Sequence, residues 1–101
     1  MIIRVFRARL KPGSEHEFLA GERELLGRTD VDGLLGVSIG RRLDVGALEV
    51  ITLTVWRDHA ALDAFAPSDT SRPVFLKGAS DLVEWHTLEH FDGDDAEANG
   101  A

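Results

Sequence analysis

The feature that most restricts this chain lies in its first ten residues. From Ile2 to Leu10 the even positions read Ile2, Arg4, Phe6, Ala8 and Leu10, and the odd positions begin Ile3 and Val5. This is a period-two strand that is apolar on both faces over its first half. Successive side chains of a strand point to opposite sides of its sheet, so both sides of any sheet containing this segment need cover.

The remaining elements say how much cover the chain itself can supply. Lys11-Pro12-Gly13 ends the strand, and Ser14-Glu15-His16-Glu17 has the form of a capping box, which predicts a helix beginning there and fading near Gly27 to Asp30. Its apolar residues Phe18, Leu19, Leu25 and Leu26 form one stripe. Leu34 to Arg42 and Leu48 to Trp56 read as two strands of a hairpin, the second rich in β-branched residues. Asp58 is a candidate N-cap for a short helix, Ala60 to Ala66, and Ser71 for a further helical piece near Arg72 to Gly78. A last strand runs from Leu82 to Phe91. The order is strand, helix, strand, strand, helices, strand, which predicts an α+β domain with a four-stranded antiparallel sheet and helices on one side.

Helices on one side leave the other side bare. Ile3, Val5, Leu35, Val37, Ile39, Ile51, Leu53 and Val55 are expected to share one alternation phase, opposite Ile2, Phe6, Ala8 and Leu10. An apolar sheet face of that size is not normally left in water, so a homodimer packed sheet against sheet is expected.

Composition narrows the function. The 101 residues make one domain over residues 1–91, and Asp92, Asp94, Asp95 and Glu97 give residues 92–101 the character of an acidic, disordered tail. Those four acids account for more than half of the net charge of −7, so the domain itself is only mildly acidic, and Arg41-Arg42 is its sole adjacent basic pair. No nucleic-acid partner is expected from such a surface. No apolar run approaches the roughly 20 residues of a membrane span, so no membrane partner is expected. The first residues enter a strand without a signal-peptide pattern, and a cytoplasmic location is the expectation. The absence of cysteine removes disulfides, thiolate catalysis and Cys-bound metals.

Three segments resemble the antibiotic biosynthesis monooxygenase family of the dimeric α+β barrel superfamily: Phe6-Arg7-Ala8-Arg9-Leu10-Lys11-Pro12-Gly13 with Glu17-Phe18; Asp32-Gly33-Leu34-Leu35-Gly36; and Val55-Trp56-Arg57-Asp58 through Ala61-Leu62-Asp63-Ala64-Phe65 to Ser68. The resemblance covers nearly all of residues 1–91. It implies a ferredoxin-like βαββαβ chain, two copies of which form a barrel, with a ligand cleft between sheet and helices in each. Characterised relatives oxidise phenolic or quinol-like compounds by molecular oxygen with no cofactor, the substrate's own anion supplying the electrons, while others degrade haem, isomerise or oxidise small molecules, or have no known reaction. Haem-degrading relatives use a histidine, an asparagine and a tryptophan at positions that fall here on Phe75, Phe6 and Phe65, which speaks against haem.

Two charged residues stand out within the apolar pattern. Glu22 lies about 40° round the helix from Phe18, between Leu25 and Leu26, in the middle of the apolar stripe. Arg4 is the charged member of the even face of the first strand. A buried acid must be paired, protonated or in a wet pocket, so Arg4 and Glu22 are expected to meet in the cleft. Arg4 would anchor an anionic or enolic oxygen and Glu22 would accept a proton; a structural ion pair is the alternative. His86 is a candidate general acid or base. It shares a strand face with Glu84 and His90, but i to i+4 on a strand spans roughly 13 Å, so the three make no single metal site. Phe6, Trp56, Phe65, Phe75 and Trp85 are candidates for an aromatic wall around a planar ligand, or for core. The function expected is cofactor-independent oxidation of a small electron-rich aromatic or quinol-type compound, the alternative being a non-catalytic binding or accessory protein of the same fold.

Overall fold

The computed structural model describes residues 1–27, 31–44, 48–66, 73–74 and 78–94. Its elements are β1 (Ile2–Leu10), α1 (Glu15–Leu26), β2 (Leu34–Arg41), β3 (Glu49–Trp56), α2 (His59–Phe65), a 3-10 turn (Ala79–Leu82) and β4 (Val83–Asp92). The strands form one antiparallel sheet in the order β2-β3-β1-β4, which is the ferredoxin-like α+β arrangement. The doubly apolar β1 therefore sits in the interior of the sheet, where both of its edges are paired.

Helix α1 starts where the sequence places it, but not by a capping box. Ser14 has a helical backbone (φ −94°, ψ −6°) and makes no side-chain cap bond, its carbonyl instead accepting from the amide of Phe18 at 2.9 Å. A capping hydroxyl needs extended backbone at the N-cap. Asp58 has it (φ −159°, ψ 177°), and its Oδ1 accepts from the amide of Ala61 at 2.9 Å to start α2. Gly33 leads into β2 with φ +80°, and a Cβ there would run into the side chain of Ala61. Only glycine lets the hairpin entry lie this close to α2. The helical piece expected near Arg72 to Gly78 lies largely outside the described residues; Pro73 and Val74, which are described, are not helical.

Both helices cover the even face of β1 and β3. The core there consists of two clusters. Phe6, Ala8 and Leu10 of β1 pack with Phe18, Leu19 and Val50, while Ile2 packs with Trp56, Ala61 and Leu62. Burying a side chain such as Phe18 or Leu62 contributes roughly 1.5–3 kcal/mol each, so these clusters stabilise the layer. Between them on the same face, one rung of the sheet carries Arg4 opposite Thr54 and the next carries Phe6 opposite Thr52. A polar band thus divides the core.

The opposite face is bare. Ile3, Val5, Ile51, Leu53 and Val55 lie in its centre, half-buried by one another, and β4 adds Phe91 opposite Ile3. The expected phase fails for β2. The register shifts between Leu34 and Gly36, so Val37 and Ile39 stand opposite Thr54 and Thr52 on the helix side, and Gly36, Ser38 and Gly40 face outward. A bulge inserts one residue and reverses the alternation beyond it. Leu35 at the bulge is 58% exposed.

Candidate functional site

The polar band floors a cleft between sheet and helices, with an empty volume of about 360 Å³ including its open mouth. Strand β1 contributes Arg4 and Phe6, β3 contributes Thr52 and Thr54, and β4 contributes Leu88. Over them stand Glu22, Leu25 and Leu26 of α1, Phe65 at the end of α2, and Pro73 and Val74. The floor is polar and the walls are apolar, the combination that orients a small planar ligand by one polar edge.

Four polar residues here are almost wholly buried: Arg4 and Glu22 at 5% and 6% exposure, Thr52 and Thr54 at 4% each. Thr52 donates its hydroxyl to Glu22 Oε2 at 2.8 Å. Burial pushes the Glu22 carboxyl above its ordinary value, and the Thr52 hydrogen bond opposes that shift by favouring the charged form. Arg4 donates from a terminal guanidinium nitrogen to His90 Nε2 at 2.8 Å. Burial lowers the Arg4 pKa, yet a guanidinium stays charged in any such setting. Trp56, fully buried behind the cleft, donates its indole N–H to Thr54 at 2.9 Å and packs on Phe65 with ring centroids 4.9 Å apart.

Arg4, Glu22, Phe6 and Phe65 come together as the sequence suggested. Arg4 and Glu22 share the cleft, where Arg4 donates to His90 and Glu22 accepts from Thr52. Trp56 supports Phe65 from within the core. His86 is on the helix side and stacks on Phe6 at 5.8 Å, but it is exposed and stands two rungs from Arg4, opposite Ala8. Trp85 belongs to no wall of this cleft. It pairs with Arg9 on the bare face and is 40% exposed, because the alternation of β4 turns odd residues away from the helices. Phe75 lies outside the described residues. The histidine beside Arg4 is His90, directly opposite it in the β1–β4 register. The strand alternation signalled only that His90 shares the side of His86; which of them meets Arg4 depends on register. Thr52 and Thr54 were concealed because threonine is common in any strand.

The antibiotic biosynthesis monooxygenase family model matches residues 1–74, and the chain belongs to that family. Solved structures agree in fold. The cofactor-independent oxygenase SnoaB from Streptomyces nogalater is 15% identical, with 91% of each chain covered and a TM-score of 0.72. Protein SO0527 from Shewanella oneidensis is 22% identical over 89% of this chain and 87% of that one, with a TM-score of 0.73. Rv0793 from Mycobacterium tuberculosis is 16% identical over 93% and 95%, with a TM-score of 0.74. No curated protein matches the sequence.

Proposed function

We propose that this chain is a cofactor-independent monooxygenase that oxidises a small electron-rich aromatic or quinol-type compound with molecular oxygen. The observation that carries this reading is the polar band of Arg4, Glu22 and Thr52, buried at the floor of an apolar cleft in a member of this family. A phenolic or enolic oxygen set against Arg4 would have its developing negative charge stabilised where water is scarce. Glu22, its carboxyl raised by burial toward the range where a base is both ionised and effective, would accept the proton. In an anthrone-type substrate the resulting carbanion gives its electrons to oxygen and forms a carbon–oxygen bond. Cleavage of the O–O bond then releases water and leaves a carbonyl in place of the methylene.

The homodimer belongs to the same proposal. The apolar centre of the bare sheet face, half-buried Ile3, Val5, Leu53 and Val55 with exposed Phe91, suits a second copy of the chain lying across it.

A second reading, a non-catalytic binder of the same fold, is favoured by one fact: Glu22 and Arg4 each already have a hydrogen-bond partner within the protein. An oxygen electrode with a panel of anthrones and hydroquinones separates the two. The enzyme consumes oxygen and loses at least about a hundredfold in rate on Arg4→Gln or Glu22→Gln, within the usual range for a lost acid–base or oxyanion contact. A binder shifts its melting temperature with these compounds and consumes none.

A further inference from the structure

The exposed histidine next to the cleft has a defined task. We propose that His90 is the positioning residue of this site: as the neutral imidazole protonated on Nδ1, it accepts from Arg4 through Nε2 and holds the guanidinium against the floor to receive an anionic oxygen of the ligand. The proposal rests on Arg4 as the anion anchor and adds what keeps that anchor in place.

Three observations support it. First, the contact is built into the ladder. Arg4 and His90 are directly opposed on neighbouring strands, and the nitrogens are 2.8 Å apart. Arg4 carries no acceptor atom and stays charged, so the bond exists only with His90 Nε2 unprotonated. Second, a histidine suits this place better than an acid would. An arginine side chain gives up rotamer freedom when fixed, and a prepositioned partner supplies that order before the ligand arrives. A carboxylate would do so while neutralising Arg4 and competing with the incoming anion, whereas a neutral imidazole orders the guanidinium and leaves its charge intact. Third, the surroundings keep His90 neutral. Burial, the charge of Arg4 and the neighbouring His59 of α2 all lower its pKa. Among the described residues, the other titratable groups on this side of the sheet are Glu22 across the cleft floor on α1 and Asp92, the next helix-side residue of β4, with His86 two rungs further along the strand.

The experiment uses the full chain with ¹⁵N-labelled imidazoles. Long-range proton–nitrogen spectra at pH 7.5, with His90→Gln to assign the signal among the four histidines, report which ring nitrogen carries the proton. The expected signal is the Nδ1–H tautomer, the less favoured one in a free histidine side chain. The same samples are titrated with naphthalene-2-sulfonate, a planar anion that stays ionised throughout, with amide shifts of Phe65 and Leu88 marking cleft occupancy rather than contact with the bare sheet. His90→Leu is expected to bind about tenfold more weakly, the equivalent of one charge-assisted hydrogen bond. His90→Gln, which keeps an acceptor that does not titrate, is expected to restore binding. Glu22 titrates in both proteins, so the comparison is between them: wild-type affinity falls relative to that of His90→Gln as pH drops from 7 toward 5.

An Nε2–H tautomer at His90, or parallel pH profiles for wild type and His90→Gln, overturns the proposal. So does the expected tautomer without sulfonate binding, which refutes the anion anchor. Confirmed positioning with no oxygen uptake sinks the oxygenase reading alone.

Discussion

Replacing Glu22 with glutamine tests the buried carboxyl without disturbing its packing. The side chain is 6% exposed, and its partner Thr52 is 4% exposed, so solvent screens little of the interaction. Glutamine is nearly isosteric and its carbonyl oxygen can still accept from Thr52. The expected effect is a change in the pH dependence of stability, and its sign follows from linkage. The folded-state pKa of Glu22 is raised above the ordinary 4.5, so between those two values the folded chain binds more protons than the unfolded one. Glu22 therefore contributes no penalty below pH 4.5, and stability falls as pH rises from there to the folded value. Each unit by which burial raises the carboxyl makes the wild type about 1.4 kcal/mol less stable relative to Glu22→Gln once that window is passed. In a domain of this length about 1 kcal/mol moves the melting temperature by roughly 4–8 °C. Urea unfolding of both proteins from pH 4.5 to 8, at one fixed protomer concentration because the proposed dimer would add a concentration-dependent contribution, measures the difference directly. The variant should gain on the wild type as pH rises and then plateau. A constant difference between the two proteins across the range would refute the reasoning, and so would a difference that shrinks with pH.

Three further outcomes are expected. Leu53→Glu places a charge in the centre of the bare face; sedimentation should find the wild type at twice 11.1 kDa and the variant at the protomer mass with unchanged circular dichroism, and a monomeric wild type would remove the dimer. Gly33→Ala combines an unfavourable φ of +80° with a clash against Ala61, and should cost about 1–3 kcal/mol in chemical denaturation, a neutral result meaning that the entry to β2 adjusts freely. Trp56→Phe removes the indole bond to Thr54 and part of a fully buried ring; a loss of about 2–4 kcal/mol is expected, accompanied by a weakened cleft because Phe65 leans on Trp56.

The fold was legible because strands and helices differ in period, and β1 announced two apolar faces before any partner was known. Register was not. Gly33, Gly36 and Gly40 permit a bulge or close packing in this strand, but nothing local fixes it after Leu34, where it carries Val37 and Ile39 to the helix side. The site divided along the same line. Arg4 and Glu22 stood out because each breaks an apolar pattern within its own element. His90 acquires its meaning only from the residue opposite it, and Thr52 from a helix thirty positions away in the chain. His86 and Trp85 illustrate the converse: both are chemically conspicuous, but strand geometry sends one two rungs along and the other through to the far side.

Thr54, Arg4 and His90 occupy successive strands at a single level of the sheet. Ladder bonds are made by main-chain atoms, which take no account of what hangs from them. Three exchanges at that level would therefore rewrite what the hollow accepts while the weave beneath stayed intact, and a lineage built on this frame can change its diet without relearning how to fold.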